Sequence, residues 1–379
     1  MDAAVPPTMI PAAGSAPRAG LAAWLGVLLV TLFCLNVAGG WVRLSGAGVA
    51  IPNWPLIELD QGRQTLLPPM DEAGWAAAFA TWSGHQTILF AKVQAGEIPA
   101  TSLGRQPRSA EEFRGIFLTE WLHRLFAAGV GVLALACLGT ALMTRRLRQL
   151  VGMPIFVAVV LIVVQAVLGA ALIDQGTSTR WLFLHQGNAA LILGCVLIAI
   201  LRLLDDDVLR QKSRTSDRVM VWLVGAGMTA AWCELMLGGM LAASRHQAPS
   251  AGVLGLDGGP LWWSWAGVAT NILDNATLHH IAHRVMAVVA AGLVVTALIL
   301  AYRRTIAERT RLALSVAASF IAMQAILGIA SAVLPGREIV VPLAHLFLGH
   351  VLFLVLVLAW RDVRLDSGVT KIVPAGAAS

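Results

Sequence analysis

The chain has 379 residues, of which 58% are hydrophobic and 13% charged, with a formal net charge of +6. Soluble domains run nearer about 45–50% apolar and about 25% charged, so the composition excludes a disordered chain, a coiled coil and an ordinary soluble enzyme. The basic excess sits mostly in short loops between apolar runs, where it reports membrane topology rather than nucleic acid as a partner.

In chain order, residues 1–20 are rich in Ala, Pro and Gly with one Arg, and read as a flexible tail rather than a transit or signal peptide. Eight apolar runs follow, each long enough to cross about 30 Å of hydrocarbon as a helix. They are Ala22–Val42, Ile116–Leu142, Val151–Ile173, Trp181–Leu201, Val219–Ala243, Leu278–Leu300, Leu312–Leu334 and Val340–Trp360. The expected fold is an all-α membrane protein built as two tandem, pseudo-symmetric four-helix bundles. The first half spans 21–205, a linker 206–218, the second half 219–362, and a tail 363–379.

Loop charge orients the bundle. Arg145, Arg146 and Arg148 follow the second span, and Arg210, Lys212, Arg214 and Arg218 lie in the linker after the fourth. Arg303, Arg304, Arg309 and Arg311 follow the sixth span, and Arg361 and Arg364 the eighth. The loops after the third and seventh spans carry one Arg each, Arg180 and Arg337, so both termini are expected on the cytoplasmic side. On the opposite side lie two long loops, 44–115 and 244–277, expected to fold over the helix ends as caps. His85 and His246 fall in them and read as solvated loop residues. The four cysteines all lie inside apolar runs, which argues against a disulfide framework or a zinc site.

The two halves repeat one another. Gln165-Ala166-Val167-Leu168-Gly169 recurs as Gln324-Ala325-Ile326-Leu327-Gly328, and His123-Arg124 as His283-Arg284. Cys34 with Gly39-Gly40 recurs as Cys233 with Gly238-Gly239. His123 precedes His185 by 62 residues, and His283 precedes His345 by the same 62. Four helices, an even number, separate equivalent spans, so the repeats are parallel and related by an axis along the membrane normal. His350 competes with His345 for the matching place in the last span; the equal spacing favours His345.

Ionisable side chains inside a span are costly and point to function. Four histidines at repeated positions, two per half at one depth, suit two bis-imidazole iron sites, each with a flat apolar ring between facing helices. Arg124, Arg284 and Arg43 stand where guanidinium groups would meet ring carboxylates, although snorkelling to the interface would explain any single one. The halves differ at Glu120, one turn before His123, where the second half has His280. An acid beside only one pair suggests chemistry in the first half and electron transfer in the second; the plain alternative is a carboxylate paired with Arg124 or Arg114. Glu234 lies inside the fifth span and needs a partner that the sequence does not name. Gln165 and Gln324 read as interhelical hydrogen-bonding residues.

These residues resemble the heme A synthase family of cytochrome oxidase assembly. The likeness runs through Gly39–Val49, Trp54-Pro55, Leu67-Pro68-Pro69, Trp75 and Phe79. It continues through Glu111–Arg114, Ile116-Phe117 and Glu120-Trp121-Leu122-His123-Arg124, and ends with His185, His283-Arg284 and His345. A first outer loop without cysteines is similar to the branch shared by mitochondria and related bacteria. Pro52-Asn53, the stretch Gly84–Arg108 and His279-His280 depart from the family pattern.

The resemblance implies oxidation of a ring methyl of heme O to formyl by two hydroxylations and loss of water, for oxidase biogenesis. It implies heme b on His283 and His345, the substrate heme between His123 and His185, Glu120 as the catalytic carboxylate, and propionate contacts from Arg43, Arg124 and Arg284. It further implies a heme O synthase, oxidase subunits or assembly factors, an electron donor and the lipid bilayer as partners, in a bacterial inner membrane. Homo-oligomerisation stays open. Two other functions remain: a heme b electron carrier, and a heme chaperone without catalysis.

Overall fold

A computed structural model describes residues 15–59, 62–98, 103, 106–174, 178–204, 217–244, 267–304, 306–333 and 339–365. The start of the expected N-terminal tail, nearly all of the linker, most of the second long loop with His246, Arg337, and the C-terminal tail after Leu365 lie outside the described residues. Eight of the helices are long and apolar enough to cross a membrane, and the chain is a multi-pass, all-α membrane protein. These are α1 (Ser15–Leu44), α3 (Ala110–Leu142), α4 (Arg145–Asp174), α5 (Thr179–Leu204), α6 (Arg218–Ser244), α8 (Ala276–Arg303), α9 (Glu308–Val333) and α10 (Val340–Leu365). Two further helices, α2 (Glu72–Gln94) and α7 (Val268–Asp274), lie in the long loops.

Several boundaries move from the sequence expectation, each for a local reason. α1 begins at Ser15, so the last residues of the expected tail are helical, and Arg18 donates to the Leu203 carbonyl near the end of α5. α3 begins six residues early. Ser109 accepts from the Glu112 amide while the Glu112 carboxylate accepts from the Arg108 amide at 2.6 Å, which closes the exposed end of the helix. At 33 residues α3 is about 50 Å long. It therefore outruns the about 30 Å of hydrocarbon. α4 opens with Thr144 accepting from the Leu147 amide and carries one π-helical turn, Arg148–Gly152.

The first long loop is structured. An antiparallel pair, β1 (Ile57–Leu59) and β2 (Arg63–Thr65), precedes α2, whose N-terminus is capped by Asp71 accepting from the Gly74 amide at 2.7 Å. Trp82, Ala78 and Ile51 bury against Phe113 and Phe117 on the protruding end of α3. Arg114 pairs with Glu72 and lies over the Trp75 ring, 5.3 Å from its centroid. His85, expected in a solvated loop, is a half-buried residue of α2. Burial, and then the positive charge of Lys92, hold its pKa below the usual imidazole range, with Asp174 acting in the opposite sense.

Helix packing forms two rings of four. α1 packs on α3 and α5, and α4 closes that ring by touching both α3 and α5. α6 packs on α8 and α10, and α9 closes the second ring in the same way. The rings meet where α5 lies along α6 and α10, and where α1 touches α10. Away from the capped end each ring is filled by its own apolar core, around Leu25, Val196 and Ala141 in the first and Met220, Leu314 and Ala359 in the second. The ends nearest the structured loop carry the polar residues instead.

Candidate functional site

Each of the four repeated histidines sits against a glycine of a neighbouring helix. A Cβ on Gly39 of α1 would stand 3.2 Å from the His123 ring, and one on Gly169 of α4 would stand 3.7 Å from the His185 ring. In the second ring Gly238 of α6 and Gly328 of α9 take the same places, at 3.4 Å from His283 and 3.3 Å from His345. All four positions come from the repeated motifs, so the first glycine of each pair and the last residue of each Gln-Ala-x-Leu-Gly run make room for an imidazole. Gln165 donates to the His185 carbonyl at 3.1 Å and Gln324 to the His345 carbonyl at 3.0 Å, which fixes the helix bearing each histidine. The repeated glutamines are thus interhelical donors.

The Nδ1 atoms of His123, His185, His283 and His345 are all buried without a hydrogen-bond partner among the described residues. Buried polar atoms are normally satisfied, so these four imidazoles at equivalent positions are not held as packing residues by side-chain bonds to Nδ1. His283 and His345 face each other with ring centroids 6.2 Å apart. Two imidazoles bound to opposite sides of one metal, each through a bond of about 2 Å, place their ring centres about 6 Å apart. Among the described residues no three His, Cys, Asp or Glu side chains gather as the cage that a bare ion needs. Paired imidazoles without further side-chain donors suit an iron whose remaining ligands come from a porphyrin. These residues fit heme.

His350 has another task. Its Nδ1 lies 2.9 Å from the Leu346 carbonyl and must donate there, so Nε2 accepts from Asn36 at 3.0 Å and Gln186 at 2.9 Å. A neutral, fully bonded imidazole therefore ties α10 to α1 and α5. The structure separates the two candidates of the last span: His345 faces His283, and His350 is buried in the seam between rings.

At the capped end of the first ring, Glu120 is buried at 3% exposure. One carboxylate oxygen accepts from the Ile51 amide at 2.9 Å and the other from Arg124 at 2.5 Å. Arg124 also donates to the Ile51 and Asn53 carbonyls, both at 2.5 Å. Glu120 and Arg124 thus clamp the 51–53 loop over the end of α3, one turn from His123. Arg43 reaches across to the Ala242 carbonyl at 3.3 Å, and Ala242 is its own repeat equivalent. Arg284 is half-buried and makes no hydrogen bond or ion pair within the described residues. His280, at the position matching Glu120, is half-buried, while its neighbour His279 is buried with Nε2 2.8 Å from the Ile272 carbonyl.

Sequence reasoning left Glu234 without a partner. Its Oε1 lies 3.1 Å from Nδ1 of His283, 49 residues further along the chain. The contact falls outside ideal hydrogen-bond alignment, so the ring nitrogen is close to an acceptor without yet being satisfied by it. Only the cost of a carboxyl inside a span could have flagged this pair beforehand.

Residues 22–357 match the sequence model of COX15-CtaA, described as cytochrome oxidase assembly protein. The chain is similar to a heme A synthase of Rhodospirillum centenum, 29% identical over 371 residues that cover 93% of this chain and 91% of the relative. It is also similar to heme A synthases of Ruegeria pomeroyi, 26% identical with 86% and 84% covered, and of Paracoccus denitrificans, 25% identical with 94% and 91% covered.

Proposed function

The chain belongs to the COX15-CtaA family of cytochrome oxidase assembly proteins, and from that premise we propose that it is a heme A synthase. The observation that carries this reading is the pair of glycine-cradled imidazoles in each ring, with Glu120, a buried carboxyl bonded to the covering loop, one turn from His123 in the first ring. In this reading His283 and His345 hold heme b, and His123 and His185 hold the substrate, heme O. Heme b supplies one-electron transfer when bound. Conversion of the substrate methyl to formyl, as two hydroxylations followed by loss of water, would remove four electrons from that carbon and so requires an oxidant from outside the chain to accept them.

The chain's own residues position and shield. Gln165 and Asn188, joined at 2.6 Å, lock α4 to α5 behind His185. The loop clamped by Glu120 and Arg124 covers the first ring at its polar end and excludes water there. Glu120, one turn before His123, is the group that takes up a proton or balances positive charge near the reacting methyl. Arg284 is the guanidinium available to a propionate in the second ring. Arg124 and Arg43 serve the same end when the bonds they make to the 51–53 loop and to Ala242 are exchanged for the ligand. The remaining partners are a heme O synthase, oxidase subunits or assembly factors, and a redox donor. The setting is a bacterial inner membrane with both termini cytoplasmic.

One observation favours a second reading, a heme carrier without catalysis: both oxygens of Glu120 are occupied in holding the loop. Co-expression with a heme O synthase, purification and chromatography of the extracted pigments decides between them. The synthase reading expects heme A from the wild type, and none from Glu120→Gln with heme b still bound. Heme A from neither protein, with both hemes bound and an electron supply present, would leave the carrier.

A further inference from the structure

Glu234 is an exception within the repeat. Its equivalent in α1 is Leu35, an apolar residue packed against the core of the first ring. A carboxyl in a span needs a partner, and here that partner is Nδ1 of His283 at 3.1 Å. Glu234 is about one-fifth exposed and His283 less, so the contact is shielded by protein. The other oxygen, Oε2, is buried with no hydrogen-bond partner among the described residues, so His283 is the partner that they offer this acid. His123, at the equivalent position of the first ring, has no acidic neighbour on the facing helix because Leu35 stands there. Gly238, one turn further along α6, sets the closeness of the His283 ring to that helix.

A histidine bound to a metal through one ring nitrogen commonly donates its other N–H to a carboxylate or carbonyl, which fixes the tautomer and the ring plane and makes the bound nitrogen more electron-rich. We propose that Glu234 is a positioning residue for His283: it accepts Nδ1–H, presents Nε2 to the iron, and favours the oxidised state of the second-ring heme relative to the first. At 3.1 Å the Nδ1–H lies within reach of Oε1. The two sites of one repeated fold would then differ in potential through Glu234, independently of what Glu120 does.

This inference rests on the second ring holding heme on His283 and His345. The test is a spectroelectrochemical titration of the full-length, heme-loaded protein in detergent, with the low-spin EPR signals recorded alongside. Glu234→Leu installs the residue of the first ring, Glu234→Gln keeps the shape with a weaker acceptor, and Glu234→Asp retains the acid on a shorter stem. The potential of the second-ring heme should rise in Glu234→Leu, rise less in Glu234→Gln, and partly return in Glu234→Asp, while the first-ring potential stays in place. A tenfold change in the relative stability of the two oxidation states corresponds to about 59 mV for one electron. If Glu234→Leu loses heme, Glu234→Gln and Glu234→Asp still give the reading. Wild-type potentials and EPR signals in Glu234→Gln with heme bound would overturn the inference. His283→Ala separates the two levels. If it leaves the second-ring signal intact, the heme assignment itself is wrong. If it abolishes the signal while the Glu234 variants do nothing, only the role of Glu234 is.

Discussion

The two four-helix rings share a scaffold and differ in where they carry acid. Glycines, glutamines and histidines recur at matching places, because each performs a packing task that both rings need. The acids do not recur. Glu120 in the first ring is bonded to a loop amide and to Arg124, one turn from His123, on the surface that the structured loop covers. Glu234 in the second ring touches the imidazole itself. A carboxyl placed between a loop and a helix acts on access and local charge, whereas one against an imidazole acts on that ring, and through it on the metal that we propose His283 binds. Duplication supplied two sites, and a few unmatched polar side chains suffice to give them different work.

The largest expected effect comes from breaking the pairing itself. His345→Ala should abolish heme binding in the second ring, read as loss of about half the heme per chain in a pyridine hemochrome assay, with His123 and His185 still loaded. His350→Ala should keep the full heme content and instead lower the melting temperature. It leaves Asn36 and Gln186 with unpaired donors in the seam, at about 1–3 kcal/mol for each buried group so stranded. The reverse result, heme loss in His350→Ala alone, would break the comparison by moving a seam residue into the site.

Next in size is the loop clamp, which among the described residues belongs to the first ring. Arg124→Ala removes the donor to Ile51, Asn53 and Glu120 together, so the 51–53 segment should lift. Limited proteolysis between Val49 and Trp54 should then accelerate at least tenfold, while heme b content in the second ring stays at the wild-type level. Protection equal to the wild type would show that the apolar contacts of Ile51 hold the loop without the clamp.

Much of this architecture was legible in the amino-acid order. Twenty-residue apolar runs gave the spans because a lipid-facing helix needs no polar stripe, and equal spacing in the repeat pointed to His345, whose ring faces that of His283. Apolar length alone starts α3 at Ile116, because the Ser109 cap and the polar first turn after it lie outside the apolar run. Other features were hidden for physical reasons. α2 mixes Trp, Phe, Ala and Ile around Gly84 without a clean apolar face, since one side meets α3 while Phe79, Ile88 and Phe90 stay exposed. The Glu234–His283 and His350–Asn36–Gln186 contacts join helices far apart in sequence, so no local pattern encodes them. The paired glycines could be read as close-packing residues, but not that the first faces a histidine and the second the other ring.

That division of labour gives a smaller, graded prediction about the seam. On one side Gly40 of α1 meets the tips of Leu343 and Leu346, at 2.9 and 2.6 Å from a built Cβ. On the other, Gly239 of α6 meets the Leu182 carbonyl and Gln186 Cβ, both at 3.1 Å. Leucine tips can rotate away and a helix backbone cannot. Gly239→Ala should therefore destabilise by about 1–3 kcal/mol as an overpacked contact, and Gly40→Ala by less. Thermal melts of the two variants in one detergent test this; equal losses would mean the leucines are as fixed as the backbone.

The smallest effect lies at the opposite end, where the rings again use unlike residues at one repeat position. Arg18 donates to the carbonyl of Leu203, while its equivalent Asp217 accepts from the Val219 and Met220 amides at 3.1 and 3.2 Å and from Arg304 at 2.5 Å. Burial pushes the Asp217 carboxyl up, but the Arg304 hydrogen bond and charge and the two amides outweigh it, so its pKa lies below the ordinary value. A carboxyl depressed on folding stabilises the protein above its unfolded pKa and loses that contribution as pH falls through the folded one. The window therefore lies below about pH 4. Asp217 is only half-buried, so screening keeps the effect small. Asp217→Asn should lower the melting temperature slightly at pH 7, and the gap from wild type should close under acid. No gap at pH 7 would assign the contribution to neutral helix capping, which Asn also provides, and would leave the Arg304 pair without measurable weight.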